Sequence, residues 1–227
     1  MRKKADFHIH SIDHEYFFGR NFTSLTEDDK RKIRFTVEWA IDRGLDYVAI
    51  TDHDLVYPGL YAAEYAQEEG RIKIIPGIEC EIIMKTVGGH QIFVHILGLG
   101  VKSQPDYVKM SPFAEVVDAI HTAGGIAVMA HPQAYPPYIF HDNKHLLDGV
   151  EVYNGIRAHI ENRNLYPPNP DAGMFNPGDD FIGLRTYGSD KHYEHGYMRE
   201  QEEAMSEHEE EVIEAIITGK FRSRRGK

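Results

Sequence analysis

DYVAITDHD, residues 46–54, carries an apolar run, Tyr47 to Ile50, straight into Thr51-Asp52-His53-Asp54. A short, β-rich apolar run reads as a strand buried on both faces, and this one delivers a histidine and carboxylates at its C-terminal end. Upstream, Thr26 and Asp29 have the spacing of a capping box, Ile33, Val37, Ala40 and Ile41 share one helical face, and Gly44 can stop the helix. The same strand-and-helix alternation extends both ways. Further strand candidates lie at 7–9, 72–78, 92–99, 126–130, 150–153 and 181–184. Two more helices are expected, one capped by Ser111 with Pro112 at its first position, the other opened by Ser206 and Glu209 as a second box. Seven short strands alternating with amphipathic segments predict an α/β fold with a mainly parallel sheet, which a chain of this size can close into a barrel. Residues 132–149 and 154–180 break the pattern and read as long loops suited to binding.

With 227 residues, the chain is expected to form a single domain over 1–227. Its 41% hydrophobic and 27% charged residues are those of a globular protein. Arg2, Lys3 and Lys4 are followed at once by Asp6 and His8, so the apolar core of a secretory signal does not develop. No apolar run approaches the roughly 20 residues that span a bilayer. A soluble, cytoplasmic protein without a membrane partner is expected, and the single cysteine, Cys80, fits a reducing compartment. The net charge of −11 argues against capture of long nucleic acid.

The chemistry lies at the strand ends. His8 and His10 are two apart on a strand and so share a face, although a chain with 14 histidines can hold such a pair by chance. The full set is more telling: His8 and His10 on the first strand, His53 after the second, Glu79 on the third, His95 on the fourth, His131 after the fifth, and Asp190 and His192 after the seventh. Side chains at the C-terminal ends of barrel strands converge across one mouth. Imidazoles and carboxylates without cysteine suit Zn²⁺, Mn²⁺ or Fe, in greater number than one ion needs. Arg20 and Arg157 follow strand ends and are candidates to hold a substrate phosphate. Lys191 and Cys80 should face away from the metals, and Tyr135, Tyr138, Phe140, Tyr166 and Phe175 either pack the loops or stack on a substrate.

The combination of His8-Ile9-His10, Thr51-Asp52-His53-Asp54, Gly77-Ile78-Glu79, His95 before Ile96-Leu97-Gly98-Leu99, Ala130-His131-Pro132 and Gly188-Ser189-Asp190-Lys191-His192 resembles the polymerase and histidinol phosphatase (PHP) family of metal-dependent phosphoesterases, in its small stand-alone branch. The resemblance implies a distorted seven-stranded, TIM-like (β/α)7 barrel holding three divalent metal ions. It implies that His8, His10, Glu79 and Asp190 hold one ion, that His95 and His131 hold a second which Glu79 bridges to the first, and that His53 and His192 hold the third. A further ligand is expected shortly after the first histidine pair; ungapped alignment points to Glu15, with Asp13 and His14 as alternatives. Glu79, Asp190 and His192 are expected to carry catalysis, with metal-bound hydroxide as nucleophile. Three divalent ions against Glu15, Glu79 and Asp190 leave a local charge of about +3, enough to attract phosphate to an acidic protein. A small phosphomonoester or nucleotide phosphate is the expected substrate. The rival readings are an exonuclease or oligoribonuclease acting on 3′ or 5′ ends and a non-catalytic metal-binding regulatory domain.

Overall fold

The computed structural model describes residues 2–12, 24–86, 88–163, 169–194, 197–198 and 206–219. Its strands are β1 (Arg2–His10), β2 (Tyr47–Ile50), β3 (Lys73–Lys85), β4 (Gln91–Leu99), β5 (Ile126–Met129), β6 (Gly149–Asn154), β7 (Leu184–Gly188), β8 (Lys191–Glu194), β9 (Tyr197–Met198) and β10 (Ser206–Glu209). Its helices are α1 (Glu27–Asp42), α2 (Tyr57–Glu69), α3 (Phe113–Thr122), α4 (Pro137–Asn143), α5 (Gly155–Asn162) and α6 (Glu210–Ile217). The strands form one sheet in the order β7-β6-β5-β4-β3-β2-β1-β8-β9, with β10 against β1. Among the described residues no helix is long and apolar enough to cross a membrane.

The sheet curls around an apolar interior. Ala5 and Phe7 of β1, Tyr47 and Ala49 of β2, Ile75 of β3, Leu97 and Leu99 of β4, Ile126 and Val128 of β5 and Leu184 of β7 belong to one buried cluster, into which α6 inserts Ile213 and Ile216. Side chains from six strands can share one interior only if the sheet bends round on itself. The β7 end does return to β1: Asp190 N donates to His8 O at 2.8 Å, and a Cβ on Gly188 would lie 2.4 Å from that of His8. Helices α1, α2 and α3 cover the outside, where Ile33, Val37 and Ala40 pack with Ile9, Val48 and Ile50, and Val116, Val117 and Ile120 pack with Ile78, Cys80 and Ile82.

Several expectations need correction. β4 runs antiparallel to both β3 and β5, so the sheet is mixed rather than a run of βα units. The reason is the connection: only residues 86–90 separate β3 from β4, enough for a hairpin but not for a parallel crossover. The seventh strand is Leu184–Gly188, not 181–184, because Phe181 instead packs its ring 5.5 Å from Phe140. Ser111 does not cap α3; its Oγ accepts from Val108 N at 3.2 Å, and Pro112 takes the cap position. Residues 206–209 form β10 rather than a capping box, pairing Ser206 to Glu209 with Ala5 to Arg2, the half of β1 that β8 leaves open. Residues 132–149 and 154–180 are not plain loops, since they contain a 3₁₀ turn (Pro132–Ala134), α4 and α5. The capping box of α1 is present: Asp29 N donates to Thr26 Oγ1 at 3.1 Å and Thr26 N to Asp29 Oδ2 at 2.8 Å.

Two bulges set the inner face. Between Asp6↔Val48 and Ile9↔Ile50, β1 spends one residue more than β2. Side chains alternate along a regular strand, but the extra residue shifts the phase. Ala5 and Phe7 therefore point into the interior, while His8 and His10 reach the mouth above it and Ile9 packs outside. In β6, the step from Glu151↔Thr186 to Tyr153↔Tyr187 likewise contains an extra residue, which lets Glu151 and Asn154 meet although they are three apart.

Candidate metal centre

Directly above the apolar interior, the inward faces turn polar. On β3 that face reads Ile75, Gly77, Glu79, and on the antiparallel β4 it reads Leu99, Leu97, His95 from the same floor upward. His95 reaches the mouth because its strand runs the other way, so neither it nor Glu79 lies at a strand C-terminus as expected; both are mid-strand. Glu79 is 1% exposed and has five imidazoles around it. Its Oε1 lies 3.3 Å from His8 Nε2, 2.9 Å from His95 Nδ1 and 3.2 Å from His131 Nε2. Its Oε2 lies 3.4 Å from His10 Nε2 and 3.0 Å from His53 Nδ1. Asp190 Oδ1 is 3.5 Å from His8 Nε2, 3.2 Å from His10 Nε2 and 3.8 Å from His192 Nδ1. The His192 ring stacks on His10 at 4.1 Å. Eight of the nine candidate ligands thus meet in one place; Glu15, with Asp13, His14 and Arg20, lies outside the described residues.

The charges are strongly coupled. Burial works against a negative Glu79, yet His95, His53 and His8 hold its carboxyl well below the usual range. Burial opposes ionisation of Asp190 too, and His8 and His10 drive it down. Burial also works against a charged His8 or His95, but Asp190, Glu79 and Glu151 raise His8 well above its ordinary value, and Glu79 and Glu81 raise His95 to about 10. His10 is pushed well down by burial and by His192 and His53.

The donor set fits divalent cations. His8 Nε2 and His10 Nε2 stand 3.2 Å apart, and both face Glu79 and Asp190. Glu79 Oε2 is buried yet accepts no hydrogen bond among the described residues. Three sets, His8/His10/Asp190, His10/His53/His192 and His53/Glu79/His95, each bring their ligand atoms within 4.8 Å of one another. Imidazoles that bind protons to balance buried carboxylates exchange them readily for a cation. Nitrogen and oxygen donors without thiolate select zinc or other first-row ions over a thiolate site. Cys80 packs in the outer core.

Strain marks the same place. His131 (φ 28°), Asp190 (φ 56°) and Asp54 (φ 54°) occupy left-handed backbone that costs non-glycine residues about 1–3 kcal/mol each. Outliers of this kind persist only where surrounding contacts over-determine them.

Sequence reading missed a ring of supporting groups. Glu151, fully buried, lies 3.1 Å from His8 Nδ1 and accepts from His131 N (2.7 Å) and Asn154 Nδ2 (3.0 Å). Asp52 accepts from Ser11 N (2.8 Å), Ser11 Oγ (2.7 Å) and Ile12 N (3.0 Å), and burial raises it to about 6. Asp6 accepts from His8 N (3.1 Å) and Ser189 N (3.0 Å), and burial raises it to about 7. Tyr135 OH sits 3.0 Å from both His95 N and His131 Nδ1, so its hydroxyl braces the two candidate ligands. The available signal was a lone carboxylate inside an apolar strand, as in Val150-Glu151-Val152.

Other candidates fall into place individually. Arg157 sits in the first turn of α5, where its N donates to Asn154 Oδ1 at 2.9 Å and its buried Nε has no hydrogen-bond partner among the described residues. Lys191 turns outward, with Nζ 5.2 Å from the Trp39 ring centre. Phe140 and Phe175 pack edge to face at 5.1 Å and Tyr138 joins the same core, so these aromatics pack the fold; Tyr166 lies outside the described residues. His121 pairs with Asp148 at 2.5 Å, away from the site.

No family model matches the chain. It is 31% identical over 157 residues, 66% of its own length and 81% of the relative's, to the uncharacterized protein MJ1587 of Methanocaldococcus jannaschii. Its fold is similar to that of a protein from Bifidobacterium adolescentis assigned as a metal-dependent phosphoesterase, with a TM-score of 0.62, 16% identity and coverage of 95% and 96% of the two chains. It is also similar to an amidohydrolase from Chromobacterium violaceum with bound sulfate and no metal, with a TM-score of 0.53, 17% identity and coverage of 86% and 91%. At these identities the likeness concerns the fold alone.

Proposed function

The chain belongs to the same family as protein MJ1587, and from its histidine and carboxylate centre we propose that it is a PHP-type metal-dependent phosphoesterase, a single domain built as a distorted seven-stranded barrel. The observation that carries this is Glu79, a buried carboxylate within 3.4 Å of imidazole nitrogens from His8, His10, His53, His95 and His131. Three divalent ions, Zn, Mn or Fe, fit so many donors. His8, His10, Glu79 and Asp190 would hold one, His95 and His131 with Glu79 a second, and His53 with His192 a third. Such ions, when bound, supply Lewis acidity towards a phosphoryl group and an acidified water.

The chain's own residues do the rest. Glu79 keeps two cation positions together, Asp190 and His192 complete the wall beneath the reacting phosphate, and the Arg157 guanidinium takes a phosphate oxygen as a planar, doubly donating partner. Its buried Nε, without a hydrogen-bond partner among the described residues, supports that role. The sulfate of the Chromobacterium violaceum neighbour has the tetrahedral shape and charge of a phosphate, which favours the same class of ligand. With a net charge of −11, a small phosphomonoester or nucleotide suits the surface better than a long polyanion, and a cytoplasmic setting suits the single reduced cysteine.

The test is metal analysis of the purified protein, followed by kcat/KM for a nucleoside monophosphate and for a single-stranded 20-mer as ionic strength rises. The expected result is a bound transition metal, preference for the monophosphate and a shallow salt dependence. A 20-mer preferred by more than about tenfold, with steep loss in salt, replaces this reading with an exonuclease. Full metal content without turnover of either replaces it with a regulatory metal-binding domain.

A further inference from the structure

Glu151 has no place among the ligands, yet it is fully buried one layer behind them. Burying a carboxylate is costly unless each oxygen is well satisfied. Here Oε1 faces His8 Nδ1 at 3.1 Å, while Oε2 takes His131 N at 2.7 Å and Asn154 Nδ2 at 3.0 Å. Asn154 Nδ2 also lies 3.2 Å from Asp190 Oδ2. Room for the carboxylate comes from Gly188, where a Cβ would stand 2.1 Å from Glu151 Oε1. The bulge in β6 puts Glu151 and Asn154 on one face.

We propose that Glu151 is a positioning residue that fixes the His8 proton on Nδ1, so that His8 Nε2 faces the cation, while its other oxygen clamps the strained turn at His131, thereby setting a ligand on β1 and one after β5 with one side chain. The inference rests on the metal-binding reading. A carboxylate suits the place because His131 N and Asn154 Nδ2 both donate to one oxygen, leaving the other to accept from His8 Nδ1. Glutamine keeps the volume and reverses one edge. Its carbonyl oxygen keeps most bonds by facing His131 N and Asn154 Nδ2, which turns its NH₂ towards His8 Nδ1. The His8 proton is then forced onto Nε2, the nitrogen that faces Glu79 and Asp190 at 3.3 and 3.5 Å. Groups that orient metal-binding histidines commonly set metal affinity by about 10- to 100-fold.

The experiment uses the full chain, zinc and a competing chelator. Glu151→Gln should weaken zinc binding by about 10- to 100-fold. Long-range ¹H–¹⁵N spectra, with the His8 resonances assigned by loss in His8→Asn, should show His8 protonated at Nδ1 in the zinc-loaded wild type. A Glu151 that merely supports the fold would lower the melting temperature of Glu151→Gln and leave its zinc affinity unchanged, which overturns the proposal. Should Glu151→Gln not fold, the wild-type spectrum decides, because a zinc-loaded His8 without a proton on Nδ1 overturns the proposal by itself. Neither readout involves turnover, so failure of the phosphoesterase assay leaves this test intact.

Discussion

The two ends of the curled sheet are both rich in charge but arrange it in opposite ways. At the foot, Lys73 Nζ meets Glu214 at 2.8 Å and Lys3 Nζ meets Asp46 at 3.1 Å, pairs whose side chains are 60% and 44%, and 24% and 37%, exposed. A groove of about 590 Å³ opens there, lined by these residues with Tyr47 and Arg71. At the mouth, the Glu79 and Asp190 carboxylates face six imidazoles, and several ring nitrogens share both Glu79 oxygens and Asp190 Oδ1. One-to-one pairs in water need nothing further, whereas the buried many-to-few arrangement converges more ring nitrogens than two carboxylates can satisfy, which is what a metal ion uses. The groove makes the foot accessible, but the charge arrangement favours the mouth as the functional site.

The largest effect that would break this contrast is at Glu79. Glu79→Gln should lower turnover by about 10³-fold or more with the fold retained, since an amide cannot replace an anion between cations. Near-normal kcat/KM with full metal content would reduce the mouth to ordinary scaffold. Next comes Gly188→Ala, whose added methyl would meet Glu151 Oε1 at 2.1 Å and His8 Cβ at 2.4 Å. Overpacking of this kind costs about 1–3 kcal/mol, visible in the denaturation midpoint, and here it should lower zinc affinity as well. Unchanged zinc binding would mean that the packing behind His8 does not reach the ligands.

His121→Ala sharpens the contrast from the other side, because it removes a partly buried histidine and carboxylate pair that is not at the mouth. Asp148 keeps its bond from Ala127 N at 2.9 Å, so the expected loss is about 1 kcal/mol of stability with kcat/KM and metal content at wild-type levels. Lys73→Ala should have the smallest effect, under about 1 kcal/mol, and added salt should shrink it further. A loss of activity in Lys73→Ala would give the groove at the foot a part in the function that its paired charges do not suggest.

Much of the mouth was legible because its chemistry is local in sequence. His53 and His131 each follow an apolar run, and their residue type alone marks them. Supporting groups were harder to see: Glu151 and Asp6 are single acids whose meaning depends on partners 143 and 183 residues away. The direction of β4 was hidden because the strand candidates stop at 78 and resume at 92, a gap long enough for a crossover, whereas β3 runs on to Lys85 and leaves room only for a hairpin. Residues 206–209 have a sound capping pattern, and pairing with the open half of β1 outweighs it, as tertiary context commonly does.

The extra residue in β1 divides that strand into two reading frames. Before it, odd positions face inward and belong to the packed interior; after it, even positions do, and they carry His8 and His10. Substitutions that tune the interior at Ala5 or Phe7 are thus out of phase with the ligands, and the two halves of the strand can vary under separate constraints. Pairing β1 with β2 without the bulge, every residue kept, would merge the frames. The apolar alternation would then continue upward without interruption, turning both imidazoles to the helix-covered side and leaving a stable shell with its reactive face turned outward.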